Sequence, residues 1–434
     1  MLTPVRVLAF VIVVFVGLST LVAAWTAPWE ANDEPDHVQN VVTLVRGEWY
    51  RIEPGAGLEP HQPPLYYMGM SVWFRAFGLE PTIPSPPSSP GIFLGGPAFE
   101  HEYAGAAADK RRVRALRLPS IALGVATILL TFACARRLSN DPWTPVVAAA
   151  IVAGVPRFVF LSGSINNDNL VNALGALLAL LAVYWVMEPP RTPRARLLAA
   201  GALGLVLGAL VLTKISTVPL AVGVALAVFF LARKLPERAL LLTVAATAAL
   251  LVCGWWLWRN YSWYGDPFTI ETTTEYLRAP IAVPGGDEAI LTRVFSSIPE
   301  QFYESFFYTS GWNQFTWSFW GHFPYWLLTA CALASLAVRG RVARLSPELR
   351  RAAAVLTMLL LGALASVWLI GTMAVASGAQ GRLAFSGLAA LGCLAALGLE
   401  RLPIPVMARF ALPVLGLAGT LFALRQDVWL VYMR

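Results

Sequence analysis

Nine residues, Trp29-Glu30-Ala31-Asn32-Asp33-Glu34-Pro35-Asp36-His37, carry five ionisable side chains directly behind a long apolar segment. Charge is costly to hold at a bilayer, so carboxylates at the mouth of a membrane helix point to a functional site. The same stretch also reads as a solvated loop that terminates a helix, with Pro35 and the acids as its punctuation. Asp168, in Asn166-Asn167-Asp168-Asn169, supplies a second acidic motif between two apolar runs, where the asparagines would equally serve as an N-cap. Lys214, Arg259 and Arg382 stand at three separate hairpins or loop starts. Lys214 reads either as a site residue or as a lysine snorkelling to the interface. Together these types allow one reaction class. A carboxylate such as Asp33, assisted by Glu34, removes a proton from an acceptor hydroxyl, while cations in a water-poor pocket carry the charge of a leaving phosphate.

The elements that must position these groups are membrane helices. Of 434 residues, 57% are apolar and 13% charged, against about 25% charged in an average soluble domain. Apolar runs of spanning length, about 20 residues each, lie near 5–25, 116–134, 144–162, 170–187, 197–213, 217–232, 239–257, 319–338, 353–375, 383–399 and 405–424. The sequence therefore predicts an all-α integral membrane protein of about eleven spans, a single domain over 1–434, with no charge inside the spans. The net charge of +7 does not argue for nucleic acid, because the arginines cluster in short connections such as Arg136-Arg137, Arg191 to Arg196 and Arg233 to Arg238. Alternation of basic and non-basic connections places the N-terminus in the cytoplasm and the polar motifs on the external, periplasmic side of a plasma (inner) membrane. Val22-Ala23-Ala24 resembles a cleavage site, yet the preceding run is too long for a signal core and reads as a retained anchor. Cys134, Cys253, Cys331 and Cys393 lie in apolar runs without paired spacing, so neither a disulfide framework nor a zinc site is expected.

Two long external loops are expected, 26–115 and 258–318. The first holds Glu59-Pro60-His61-Gln62-Pro63-Pro64-Leu65-Tyr66-Tyr67 and an aromatic run to Phe77, too short to span, which reads as a helix lying in the interface. Pro81 to Gly96 has the composition of a mobile segment, and Lys110 to Arg117 is a basic group able to hold an anionic lipid or substrate. The second carries Tyr264-Gly265-Asp266-Pro267 and, near its end, Trp312, Trp317, Trp320, His322 and Trp326, aromatics that either stack on sugar or line the interface. Asp36, beyond Pro35, is expected to be solvated.

Taken together, Asp33-Glu34, His61-Gln62-Pro63-Pro64-Leu65-Tyr66-Tyr67, Asn166-Asn167-Asp168, Arg259-Asn260 with Tyr264-Gly265-Asp266-Pro267, and Gln380-Gly381-Arg382 resemble the GT-C glycosyltransferase superfamily over about residues 1–400. Within it they are nearest a bacterial branch related to protein O-mannosyltransferases and lipid A aminoarabinose transferases. The resemblance implies a polyprenyl-phosphate sugar as donor, inverting transfer to an acceptor hydroxyl, and Asp33 as base with Glu34 assisting. It further implies Asp168 with Asn167 as second acidic motif, Lys214, Arg259 and Arg382 on the donor phosphate, and His61, Gln62, Tyr66 and Asp266 on substrate. In relatives an aromatic and a proline usually follow the last motif, where this chain has Leu383-Ala384-Phe385-Ser386.

His37, His61 and His101 lie among carboxylates in the first loop and could ligate zinc or manganese, but none has tight ligand spacing, so no metal or other cofactor is expected to be required. Two rival classes share the external polarity. A lipid-linked saccharide transporter should show internal repeats and mid-membrane polar groups, and no repeat is visible here. A ligase or polymerase using diphosphate donors differs in the donor it accepts.

Overall fold

The computed structural model describes residues 3–53, 56–57, 59–78, 107–232, 234–278, 292–310, 315–337, 345–373 and 379–429. Among these the chain is helical apart from one antiparallel ribbon, β1 (Thr309–Ser310) with β2 (Phe315–Thr316). The helices are α1 (Pro4–Trp25), α2 (Glu34–Val45), α3 (Leu65–Phe77), α4 (Ala107–Leu138), α5 (Thr144–Ala153), α6 (Pro156–Ser162), α7 (Asp168–Met187), α8 (Pro193–Thr213), α9 (Ala221–Leu231) and α10 (Leu235–Tyr264). Then come α11 (Ile270–Arg278), α12 (Ile298–Phe306), α13 (Phe319–Ala337), α14 (Pro347–Met373), α15 (Leu388–Glu400) and α16 (Ala411–Ala423). The expected segment 81–96 and the His101 motif lie outside the described residues.

All eleven apolar runs are helical, but fewer than eleven meet the requirements of a full span. Eight helices among the described residues are long and apolar enough to cross a membrane, and nine when α5 and α6 count as one. The run at 144–162 is broken by a bend of 67° between α5 and α6. Pro156 causes it: the proline lacks an N–H, and Val155 before it is driven into extended geometry at φ −77°, ψ 112°. The run near 217–232 falls short because Lys214 ends α8 in extended conformation and a 3₁₀ turn holding Pro219, Ile215–Leu220, precedes α9. In α13, His322 and Pro324 dilute the apolar stretch. The expectation of uncharged spans also fails. Arg117 lies within α4 and Arg157 within α6, both buried.

Two cores organise the chain. The larger runs through the helix bundle and includes Phe15, Phe158, Val183, Leu203, Leu356 and Phe385. The smaller is an aromatic cluster that seats the first loop on the bundle, with Trp29, Tyr50, Tyr66, Tyr67 and Phe74 packed against Leu116 of α4, Leu212 of α8 and Trp256 of α10. Here α3 is short, as expected, at 13 residues. Helix α2 was not foreseen; it opens with Pro35 in its first turn and buries Val38, Val41 and Val42. Opposite, the buried 3₁₀ segment Gly381–Gly387 enters the bundle ahead of α15. Its close approach depends on two glycines. A side chain at Gly381 would strike the Phe306 backbone, and one at Gly175 of α7 would strike the Ser386 carbonyl.

The arginine-bearing connections orient the chain by the positive-inside rule, so Thr192 and Ser262, both exposed, should face opposite sides. A cysteine at Ser262 is expected to react with an impermeant maleimide in intact cells, and one at Thr192 only after permeabilisation. The reverse pattern would invert the topology.

Candidate functional site

Chain segments distant in sequence meet at Arg382. Its Nη2 is ion-paired with Asp33 Oδ2, its Nη1 lies 3.3 Å from Asp168 Oδ2, and its Nε donates to Gln380 Oε1 at 2.7 Å. Lys214 Nζ lies 2.5 Å from Asp168 Oδ1. All four charged residues of this chain of pairs are buried, at 6 to 9% exposure for Arg382, Lys214 and Asp33 and 1% for Asp168. The two cations cannot sit in the interior without carboxylates, and the carboxylates cannot sit there without them. Asp168 is held at the first turn of α7, where its backbone N–H donates to Asn166 Oδ1 at 2.8 Å and its charge meets the positive end of the helix dipole.

Asp33 precedes α2 in left-handed backbone geometry, φ 61° and ψ 4°. Its Oδ2 accepts from Arg382 and, at 3.0 Å, from Asn32 Nδ2; its Oδ1 accepts no hydrogen bond among the described residues. Burial alone would raise the Asp33 carboxyl, but the charge and hydrogen bond of Arg382 together with the other charges around it, Lys214 among them, hold the group below its ordinary range, so it is ionised at neutral pH. His37, one turn into α2, is pushed down to about 3 by burial and is a neutral imidazole, its Nδ1 2.8 Å from the Tyr67 hydroxyl.

Glu34 follows Asp33 in sequence and occupies a different environment. Its carboxylate is fully buried and bidentate with Arg117, at 2.8 and 2.6 Å, and it accepts the backbone N–H groups of Trp29 and Ile165 at 3.1 Å each. Arg117 spends its remaining donors on the carbonyls of Ala23, Thr26 and Ala27. This closed unit ties the end of α1 to α4 and to the turn before α7.

The other sequence candidates divide into those near this cluster and those apart from it. Gln62 Oε1 accepts from Asn167 Nδ2 at 3.1 Å, and His61 Nε2 lies 3.0 Å from Gln62 Nε2. Tyr66 is buried edge-on to Tyr67. Glu59, 3.8 Å from His61, is pushed up to about 8, chiefly by burial and then by the charge of Asp33. Arg259, by contrast, lies over the rings of Trp256 and Trp263 at 4.2 and 3.6 Å and donates to the Tyr50 carbonyl. Asp266 accepts the N–H groups of Phe268 and Glu271, a turn that starts α11. Neither is hydrogen-bonded or ion-paired with Asp33, Asp168, Lys214 or Arg382 among the described residues. Asp36, expected in solvent, is 8% exposed because α2 folds back onto the bundle. Trp317 stacks on Tyr308, Trp320 is exposed, and Trp312 lies outside the described residues. No group of three or more metal-ligating side chains gathers among the described residues.

Sequence reasoning gave no role to Arg157, Asn32 or Gln380. Arg157 Nη1 donates to the Thr309 carbonyl and its Nη2 lies 3.4 Å from Gln380 Oε1. An arginine inside an apolar run, directly after Pro156, was the available signal. Arg157 and Asn32 also line a small pocket, partly open to solvent, whose other walls include Val22, Leu161, Phe315 and Asp427.

The chain shares its fold with ArnT from Cupriavidus metallidurans. The crystal structure of ArnT from Cupriavidus metallidurans bound to undecaprenyl phosphate superposes with a TM-score of 0.56 at 17% identity, covering 96% of this chain and 64% of that one. The apo form of ArnT from the same organism gives 0.53 at 15% identity, covering 92% and 59%. The chain thus spans about six tenths of the length of the structures it matches. Residues 108–258, about a third of the chain, match a family model described as dolichyl-phosphate-mannose-protein mannosyltransferase. No curated protein sequence matches.

Two outcomes follow from this geometry. Removing one partner of a buried ion pair costs about 3–5 kcal/mol, so Arg117→Met should lower thermal stability in detergent by that order, with part of the loss recovered in Glu34→Gln/Arg117→Met. Wild-type stability in Arg117→Met would show that the pair is not a structural tie. For Glu59, the folded carboxyl at about 8 lies above its unfolded value of 4.5. The stability it contributes is full below pH 4.5 and is lost as pH rises through about 8. Melting temperature should fall across that window in wild type more than in Glu59→Gln, and parallel curves would overturn the assignment.

Proposed function

We propose that the protein transfers a sugar from a polyprenyl monophosphate donor to an acceptor hydroxyl at the external face of the plasma membrane, with inversion. The observation that carries this reading is an ionised Asp33 whose Oδ1 accepts no hydrogen bond among the described residues, joined through Arg382 and Asp168 to a second buried cation, Lys214. Asp33 Oδ1 takes the acceptor proton as the hydroxyl oxygen bonds to the anomeric carbon and the bond from that carbon to the phosphate oxygen breaks. The donor leaves as polyprenyl phosphate, and the electron pair it carries off is stabilised by Lys214 and Arg382 in a site largely free of water. Asp168 holds those two cations side by side through separate oxygens. Glu34 acts as a positioning residue, since its bonds to Arg117 fix the loop that carries Asp33. Asn167, Gln62, His61 and Tyr66 form the neighbouring wall, while Arg259 and Asp266 shape the second loop from a distance. With phosphate charge met by side-chain cations, transfer needs no metal or other cofactor.

The likeness to a structure holding undecaprenyl phosphate supports this donor class over a diphosphate donor, and the base beside the cations favours transfer over transport. Purified protein should release free polyprenyl phosphate from radiolabelled polyprenyl-phosphate sugars, and exhaustive chelation should leave the rate unchanged. Asp33→Asn preserves size but cannot take the proton, so turnover should fall by about 10² to 10⁴, with donor binding retained or tightened because Asn no longer competes for Arg382. Lys214→Ala should weaken donor binding and turnover together. Near-normal turnover in Asp33→Asn, with Asp36→Asn or Asp168→Asn inactive, would move the base to another carboxylate.

A further inference from the structure

The transfer reaction leaves His37 unused, although its ring is 1% exposed and lies in the field of Asp33, Lys214, Arg382 and Asp168. Its backbone N–H donates to the Asp33 carbonyl at 3.0 Å, so the two side chains share one face of α2, one turn apart. Its Nδ1 lies 2.8 Å from the Tyr67 hydroxyl. Which of the two supplies the hydrogen follows from Tyr67. That side chain is fully buried, and no other acceptor is hydrogen-bonded to its hydroxyl among the described residues. The Asn40 amide beside it acts as a donor, since it eases ionisation of the phenol. An unpaired buried O–H is costly, so Tyr67 donates and Nδ1 accepts. A neutral imidazole that accepts at Nδ1 carries its hydrogen on Nε2. That N–H has no acceptor among the described residues.

We propose that His37 binds the sugar of the donor, its Nε2–H donating to a hydroxyl oxygen of that sugar, and that Tyr67 is the positioning residue that fixes the tautomer. The inference rests on the donor reading above and deepens it, because it assigns the contact that tells a glycosylated lipid phosphate from a bare one. The phosphate already has Lys214 and Arg382, both joined to Asp168. His37 stands instead on the Asp33 side, where the sugar must come if Asp33 Oδ1 is to reach an acceptor hydroxyl at the anomeric carbon. Its neutrality suits a neutral partner, whereas an imidazolium here would repel the two cations and compete with them for the phosphate. A single N–H held in one direction selects an oxygen at one position of the sugar. Burial sharpens the choice, because a ligand without that oxygen leaves the N–H unpaired away from water.

The test measures two affinities of the full chain in nanodiscs, for the undecaprenyl-phosphate sugar that wild type cleaves fastest and for undecaprenyl phosphate, and follows their ratio. His37→Met removes the N–H while keeping apolar volume, so the preference for the glycosylated lipid should fall by about tenfold. His37→Gln spaces an oxygen and an N–H much as the imidazole spaces its nitrogens, so it can accept from Tyr67 and donate to the sugar, and its ratio should stay within about threefold of wild type. Tyr67→Phe should lower the ratio by about three- to fivefold in wild type and leave it unmoved in His37→Met, as expected of a residue acting through His37. A merely structural His37 would weaken both ligands alike and leave the ratio fixed. A ratio within about twofold of wild type in folded His37→Met, or a His37→Gln that falls as far as His37→Met, overturns the inference alone. If His37→Met does not fold, Tyr67→Phe decides by the same twofold limit. A wild type that cleaves no such sugar overturns the donor reading and this inference together.

Discussion

A single guanidinium determines where the chain can lie. Arg382 comes from a 3₁₀ segment that enters between α7 and α14, and there it meets both Asp33 and Asp168, which offset the cost of burying its charge. To deliver it, α7 yields space at Gly175 and the segment itself turns at Gly381. To pair the other oxygen of Asp168, α8 stops at Lys214 instead of running on into α9. The pairing is a poor source of net stability, since desolvation offsets much of the attraction. Its worth lies in register: the ends of four segments are locked relative to one another by groups that accept no substitute partner.

Adjacent carboxylates serve opposite ends. Glu34 has every strong acceptor position filled by a bidentate arginine and two backbone amides, so proton exchange there would dismantle the loop. Asp33 is half filled among the described residues, with its charge maintained chiefly by Arg382 and the bonds from Arg382 and Asn32 both on one oxygen. Rigidity is concentrated in the first so that reactivity can reside in the second, and the aromatic cluster under the loop keeps both in place.

Much of this was readable in the sequence because membrane solvation is unforgiving. Apolar length alone located all eleven helical runs, and Asp33, Asp168, Lys214 and Arg382, chosen as ionisable residues at the ends of those runs, do converge. What escaped was three-dimensional. Nothing in a turn sequence distinguishes Asp168, whose oxygens reach across to α8 and the 381–387 segment, from Asp266, whose oxygens cap their own turn. Arg259 was grouped with the phosphate cations by type, yet neighbouring tryptophans capture it first. Length is also blind to bends, because Pro156 and Pro219 bend or tighten runs that composition treats as continuous. Asp36 and α2 show the same limit: burial there depends on a loop folding back, which local polarity cannot announce.

The backbone at Asp33 has a consequence for how variation at this site is to be interpreted. A positive φ of 61° is open to glycine, asparagine and aspartate and strained for nearly every other side chain. A deep mutational scan would therefore return a narrow tolerance at position 33 even if the carboxylate did nothing, and the profile over twenty residues would report conformation as much as reactivity. Only the contrast between aspartate and asparagine, two side chains of one shape on one permitted backbone, separates them.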